Sequence, residues 1–91
     1  MDNYRMLARE FWDTATIGQS ILIKGQAAGE DALSELAKCD LADNMVDDGK
    51  GLRRRRERPK NCIGGYNAQK QFRYQVDTRD AIKHYTIWRV Q

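Results

Sequence analysis

The stretch MVDDGKGLRRRRERPKN, residues 45–61, decides the fold, because the chain changes character inside it. Upstream, apolar residues recur at helical spacing as far as Asp48, and Gly49 supplies the residue type that commonly ends a helix. Downstream, Arg53, Arg54, Arg55 and Arg56 run together, with Arg58, Pro59 and Lys60 close behind. The pattern from Gly51 onward is therefore extended. In a strand, successive side chains alternate, which sends Arg53 and Arg55 to one face and Arg54 and Arg56 to the other. No small fold needs six such cations for its own packing. Their repulsion has to be offset by solvent, by neighbouring carboxylates or by a polyanionic partner.

The net charge of +3 conceals a division at this stretch. Residues 1–48 hold ten acidic and four basic side chains, net −6, whereas residues 49–91 hold twelve basic and three acidic, net +9. Such asymmetry marks a chain that presents one end to a polyanion. The alternative is that the two halves neutralise each other in the fold. At 91 residues the chain is read as one domain, 1–91, with an acidic helical part (1–49) and a basic strand part (50–91).

Outward from the stretch, the N-terminal part reads as helix. Tyr4, Leu7, Ala8, Phe11, Trp12 and Ala15 make one apolar stripe, with Asp2 or Asn3 as the cap and Gly18 past the end. The run Ile21-Leu22-Ile23 is too short for periodicity to assign to helix or strand, and Gly25 and Gly29 read as bends around it. From Glu30 the helical period resumes through Leu33, Leu36, Ala37, Leu41 and Met45, with Glu30 and Asp31 in the first turn. Asp40 is a potential N-cap, so one helix or two remain open over residues 30–48.

The C-terminal part reads as strand. After a loop from Asn61 to Lys70, Phe72, Tyr74 and Val76 alternate with Arg73, Gln75 and Asp77, the period of a half-buried strand. TRDAIKH is a turn or one helical turn. The closing YTIWRVQ is apolar on both faces, which predicts pairing with the preceding strand and packing on the first helix. The expected fold class is α+β, N-terminal helices followed by a basic C-terminal β-hairpin.

In that order, MVDDGKGLRRRRERPKN followed by FRYQVDTRDAIKHY resembles the end of the recognition helix, the wing and the following segment of winged helix-turn-helix DNA-binding domains of the multiple-antibiotic-resistance repressor type. The resemblance covers roughly residues 31–85. It implies a helix in the major groove and a hairpin wing along the flanking backbone, hence duplex DNA as partner and transcription regulation as function. On that reading Ser34, Lys38 and Asn44 are the polar candidates for base contacts.

The residues support polyanion binding without the family. Arginine carries its charge at any relevant pH and presents a planar fork of donors that fits phosphate. Backbone anchoring falls to Arg53, Arg54, Arg55, Arg56, Arg58 and Lys60, extended by Lys70 and Arg73. Engagement of four to six phosphates predicts a slope of log K against log salt of roughly −4 to −5. Tyr66, on a glycine loop, is a candidate for base stacking, which keeps RNA open as a partner; Tyr74 shares a face with Phe72 and Val76 and reads as core.

Other chemistries find little material. One histidine, His84, and no CxxC pair argue against a zinc site, and Cys39 and Cys62 read as reduced packing residues, so no cofactor is expected. The chain is read as no enzyme. A less favoured alternative is a metal-independent ribonuclease toxin built on Arg73, Tyr74, Lys83, His84 and Tyr85. The second main reading is a protein-binding inhibitor or adaptor of anti-defence type, its Asp40, Asp43, Asp47 and Asp48 imitating a phosphate backbone toward a host protein. MDNYRMLARE lacks the features of a secretory signal and no apolar run approaches a membrane span, so a cytoplasmic protein is expected. Small size and isolated architecture suggest a phage or mobile-element regulator, with homodimerisation open.

Overall fold

A computed structural model describes residues 3–44, 46–47, 53–54, 61–64 and 69–91. Its fold is mixed α+β, with two helices laid on one face of a four-stranded antiparallel sheet. Helix α1 spans Tyr4–Thr14, capped by Asn3, whose side chain accepts from the Met6 amide at 3.1 Å. Ala8, Phe11, Trp12 and Ala15 of the sequence stripe are buried, while Leu7 at its margin is 41% exposed. The chain leaves the helix through extended Ala15 and turns at Gly18, whose φ of +92° suits a residue without a side chain.

The ambiguous apolar run becomes strand β1, Ser20–Lys24, with Ile23 buried among the helices and Leu22 pointing away from them. Alternation with exposed Ser20 and Lys24 decides between the two periods that the run by itself leaves open.

Helix α2 spans Gln26–Asn44, starting four residues before the expected Glu30 and running unbroken through Asp40. Glu30 and Asp31 therefore lie beyond its first turn. Gly25 (φ +103°) makes the entry bend, and its carbonyl accepts from the Gly29 amide at 3.0 Å. Gly29 is no bend but a helical residue pressed against the Tyr85 ring. The buried face is also rotated from the expected one: Ala32, Glu35, Leu36 and Asp40 are inside, and Leu41 is 40% exposed. The cause lies on α1, where Arg5 and Arg9 supply cations that let an acid occupy the seam between helices.

Two short strands follow, β2 (Val46–Asp47) and β3 (Arg53–Arg54), paired with each other in a separate two-stranded sheet. The start of the arginine run thus forms its hairpin with the end of the acidic half, not with FRYQV. Met45, the Gly49 stop, Arg55, Arg56, Arg58, Pro59, Lys60, Gly65 and Tyr66 lie outside the described residues.

The main sheet has the order β1-β6-β5-β4, where β4 is Cys62–Ile63, β5 Phe72–Arg79 and β6 Ile82–Arg89. Strand β4 forms inside the segment expected to be loop. β5 and β6 pair along their full length, from Phe72 opposite Arg89 to Arg79 opposite Ile82. TRDAIKH contributes to both strands, joined by a two-residue turn in which Asp80 and Ala81 have φ of +52° and +63°. Phe72, Tyr85, Ile87, Ile63 and Ile23 face the helices. Phe72 stacks on Trp12 at 4.9 Å between centroids and meets Phe11 at 5.5 Å, so β5, not β6, lies beneath the aromatic end of α1. β6 lies under α2 through Gly29 and Tyr85, and it reaches α1 by Arg89, whose guanidinium donates to the Ala15 carbonyl at 2.6 Å. Among the described residues no helix is long and apolar enough to cross a membrane.

Candidate nucleic-acid interface

Strand parity sorts the sheet's side chains. Because Phe72, Tyr85, Ile87 and Ile23 turn toward the helices, their neighbours in sequence turn away. Across β1, β6 and β5 the second face carries Ser20, Trp88 and Arg73 in one row; Leu22, Thr86 and Gln75 in the next; then Lys24, His84 and Asp77. Ile82 and Arg79 close it. Arg73, Gln75, Lys24 and Arg79 are exposed, Trp88 is half-buried, and no described helix covers this face. A hollow of about 340 Å³ opens beside Trp88, bounded by Asn61, Arg73, Tyr74 and Gln75.

The face is basic. Asp77 is its carboxylate, and it accepts from its own strand: Arg79 Nη2 is 3.5 Å from it and Gln75 Nε2 also 3.5 Å. His84 Nδ1 lies 3.1 Å from the Ile82 carbonyl, an oxygen that accepts.

On the opposite side of the molecule two carboxylates of α2 are paired within the helices. Arg9 meets Glu35 at 2.8 Å, Arg5 bridges Asp31 at 3.0 Å and Glu35 at 3.6 Å, and Lys38 stands 4.0 Å from Glu35. Asp43 accepts from the Trp12 indole at 2.6 Å. Asp40 is 1% exposed, so it is no part of an acidic surface that could imitate phosphates. Cys39 sits in the groove between the helices, where burial pushes its thiol up, partly opposed by Arg9; the protonated form is inert.

The candidate residues are thereby dispersed. Arg53 and Arg54 form β3, with Arg53 in register with Asp47. Arg73 is on the open face of the sheet. Lys70 is not: its Nζ donates to the Trp12 carbonyl at 2.9 Å and lies 5.8 Å over the indole, where it ties its loop to α1. Ser34 and Lys38 are exposed on α2, across the sheet from Arg73, so one straight ligand does not touch all three. Asn44 is the last residue of α2. The ribonuclease set is also split, since Tyr74 and Tyr85 face the helices and Arg73 and His84 the other way.

Trp88, Lys24, Gln75 and Asn61 complete the basic face and were not anticipated. Their signal was available: Arg73, Gln75, Asp77 and Arg79 are polar at every outward position of β5, which makes Trp88, on that same side, a surface tryptophan. Comparison with known proteins gives no matching family model, no similar curated protein and no similar solved structure.

Proposed function

We propose that the protein binds nucleic acid, holding duplex DNA by its backbone through the arginine-rich segment that begins at β3, and that it acts as a small transcription regulator. The observation that carries this reading is that Asp31 and Glu35, the carboxylates paired across the helix seam, are matched by Arg5, Arg9 and Lys38 from their own part of the chain. Those carboxylates do not need the arginines after Gly51 to offset them. On this reading β2–β3 is a wing-like hairpin following α2, as in the winged helix-turn-helix domains, and Arg53 to Arg56, Arg58 and Lys60 grip phosphates. Arg73 adds a cation on the sheet.

The test is an anisotropy titration of a labelled random duplex with wild type and with Arg53→Ala plus Arg55→Ala. Two lost phosphate contacts predict an affinity at least about tenfold weaker at low salt. Equal affinity of the two proteins, both folded, contradicts the assignment.

A further inference from the structure

The row Ser20, Trp88, Arg73 lies on the side of the sheet that no described helix covers, and none of the three belongs to the arginine segment. We propose that this face binds an unpaired nucleic-acid strand, with a base stacked on Trp88 and a phosphate held by Arg73. The inference takes its class of ligand from the nucleic-acid reading above, but it stands on different residues.

Four observations select this occupant. Trp88 is only half-buried and offers its indole beside the open hollow, where every nucleobase has a face able to stack on it. A base within a duplex has both faces covered by its neighbours, so only an unpaired strand fits. Asn61 and Gln75 are among the residues that line the hollow, and their side chains carry both donors and acceptors of the kind that suit base edges. The face also bears Lys24, Arg73 and Arg79 against one carboxylate, Asp77, which is already engaged by Arg79. This charge matches a polyanion and repels a basic partner. From the row of Arg73 to that of Lys24 is four residues of β6, about 13 Å at the rise of a strand. Arg73 and Lys24 therefore hold two different phosphates of one strand running along β6.

Backbone geometry supports a preformed platform. Asn61 adopts φ +54° and its carbonyl accepts from the Tyr74 amide at 3.2 Å, fixing the residue at the rim of the hollow. β6 is flanked on both sides, by β1 and β5, so Trp88 stands on the most constrained part of the sheet. Little ordering is left for the ligand to impose.

The test uses full-length protein, a fluorescein-labelled twelve-nucleotide single strand of mixed sequence and the matching duplex. Trp88→Leu is expected to weaken the single strand roughly tenfold and the duplex less than about twofold. Trp88→Phe keeps a ring and most of the affinity, but loses the quench of tryptophan emission that wild type gives on binding. Arg73→Gln, an exposed change, lowers the salt slope for the single strand by about one. A folded Trp88→Leu protein with wild-type affinity for the single strand overturns the proposal, and so does an unchanged slope for Arg73→Gln. Self-association that Trp88→Leu abolishes, in a wild type that takes no single strand, overturns it in favour of a second copy on this face. The two readings fail separately: duplex binding lost with Arg53→Ala plus Arg55→Ala but no Trp88 dependence of strand binding rejects this inference alone, whereas Trp88-dependent strand binding together with a duplex affinity indifferent to those arginines rejects the proposed function alone.

Discussion

Gly29 of α2 lies against the ring of Tyr85 in β6 so closely that a methyl group at position 29 would overlap the ring carbons. The helix approaches the sheet at this point because one of its residues has no side chain. Alanine is the better helix former by about 1 kcal/mol, yet here the steric term opposes and exceeds it. Gly29→Ala is expected to destabilise the protein by about 1–3 kcal/mol in denaturant unfolding. Combined with Tyr85→Val, the loss should be smaller than the sum of the two single losses, since the smaller side chain vacates the space.

Lys70 and Arg73 are three residues apart, and the structure sends them to different places, Lys70 onto Trp12 and Arg73 to the exposed face of the sheet. Lys70→Met removes a hydrogen bond to the Trp12 carbonyl and a cation over its ring, with an expected loss of about 1–2 kcal/mol. Its affinity for nucleic acid should stay within about twofold of wild type at a temperature where both are folded. Thermal melts and a binding titration on the same preparations check both halves; weakened binding at unchanged stability would return Lys70 to the interface.

The turn between β5 and β6 holds Ala81 at φ +63°, a conformation that disfavours a residue with a Cβ by about 1–2 kcal/mol. Ala81→Gly removes that penalty, while the extra freedom of glycine in the unfolded chain takes part of the gain back. A net stabilisation of about 0.5–1 kcal/mol is expected. A loss of stability in chemical denaturation would mean that the turn is not of the kind described.

Burial pushes the Tyr85 phenol up, helped by Glu30 and Tyr74, and it pushes the Cys39 thiol up as well. In the folded protein both groups hold their protons to higher pH than in the unfolded chain. Their contribution to stability is thus complete below their ordinary values, near 9 for the thiol and near 10 for the phenol, and is lost as pH rises above these through the raised values of the folded protein. Melting temperature should be flat in this respect up to about pH 8 and fall as pH rises above the ordinary values of the two groups. Tyr85→Phe should lessen the upper part of that fall; an identical fall in the variant would remove Tyr85 as its source.

What the sequence made legible depended on how local the deciding interaction was. The stripe of α1 apart from Leu7, the Asn3 cap and the inward turn of Phe72 and Tyr74 are set by neighbours in the chain and appear in the structure as read, whereas Val76, on the same side of β5, is 41% exposed. Gly29 was misread as a bend because its reason for being glycine is Tyr85, far away in sequence. Glu35 and Asp40 were not expected inside, since the burial of Glu35 depends on guanidinium groups from another helix. The pairing of the last two strands is legible in the sequence, but Ala81 conceals that their turn has only two residues, which a glycine there would signal. At the interface, the cations were visible as residue types, but their division between clamp, strand and open face follows from pairing register, which no local pattern encodes.

The central claim is that the basic half meets a polyanion, and its most direct measurement is the affinity of wild type for a random duplex across a series of salt concentrations. Four to six phosphates released of their counterions predict a straight line of log K against log salt with a slope of roughly −4 to −5. A slope near zero, or no binding at the lowest salt, would contradict the account.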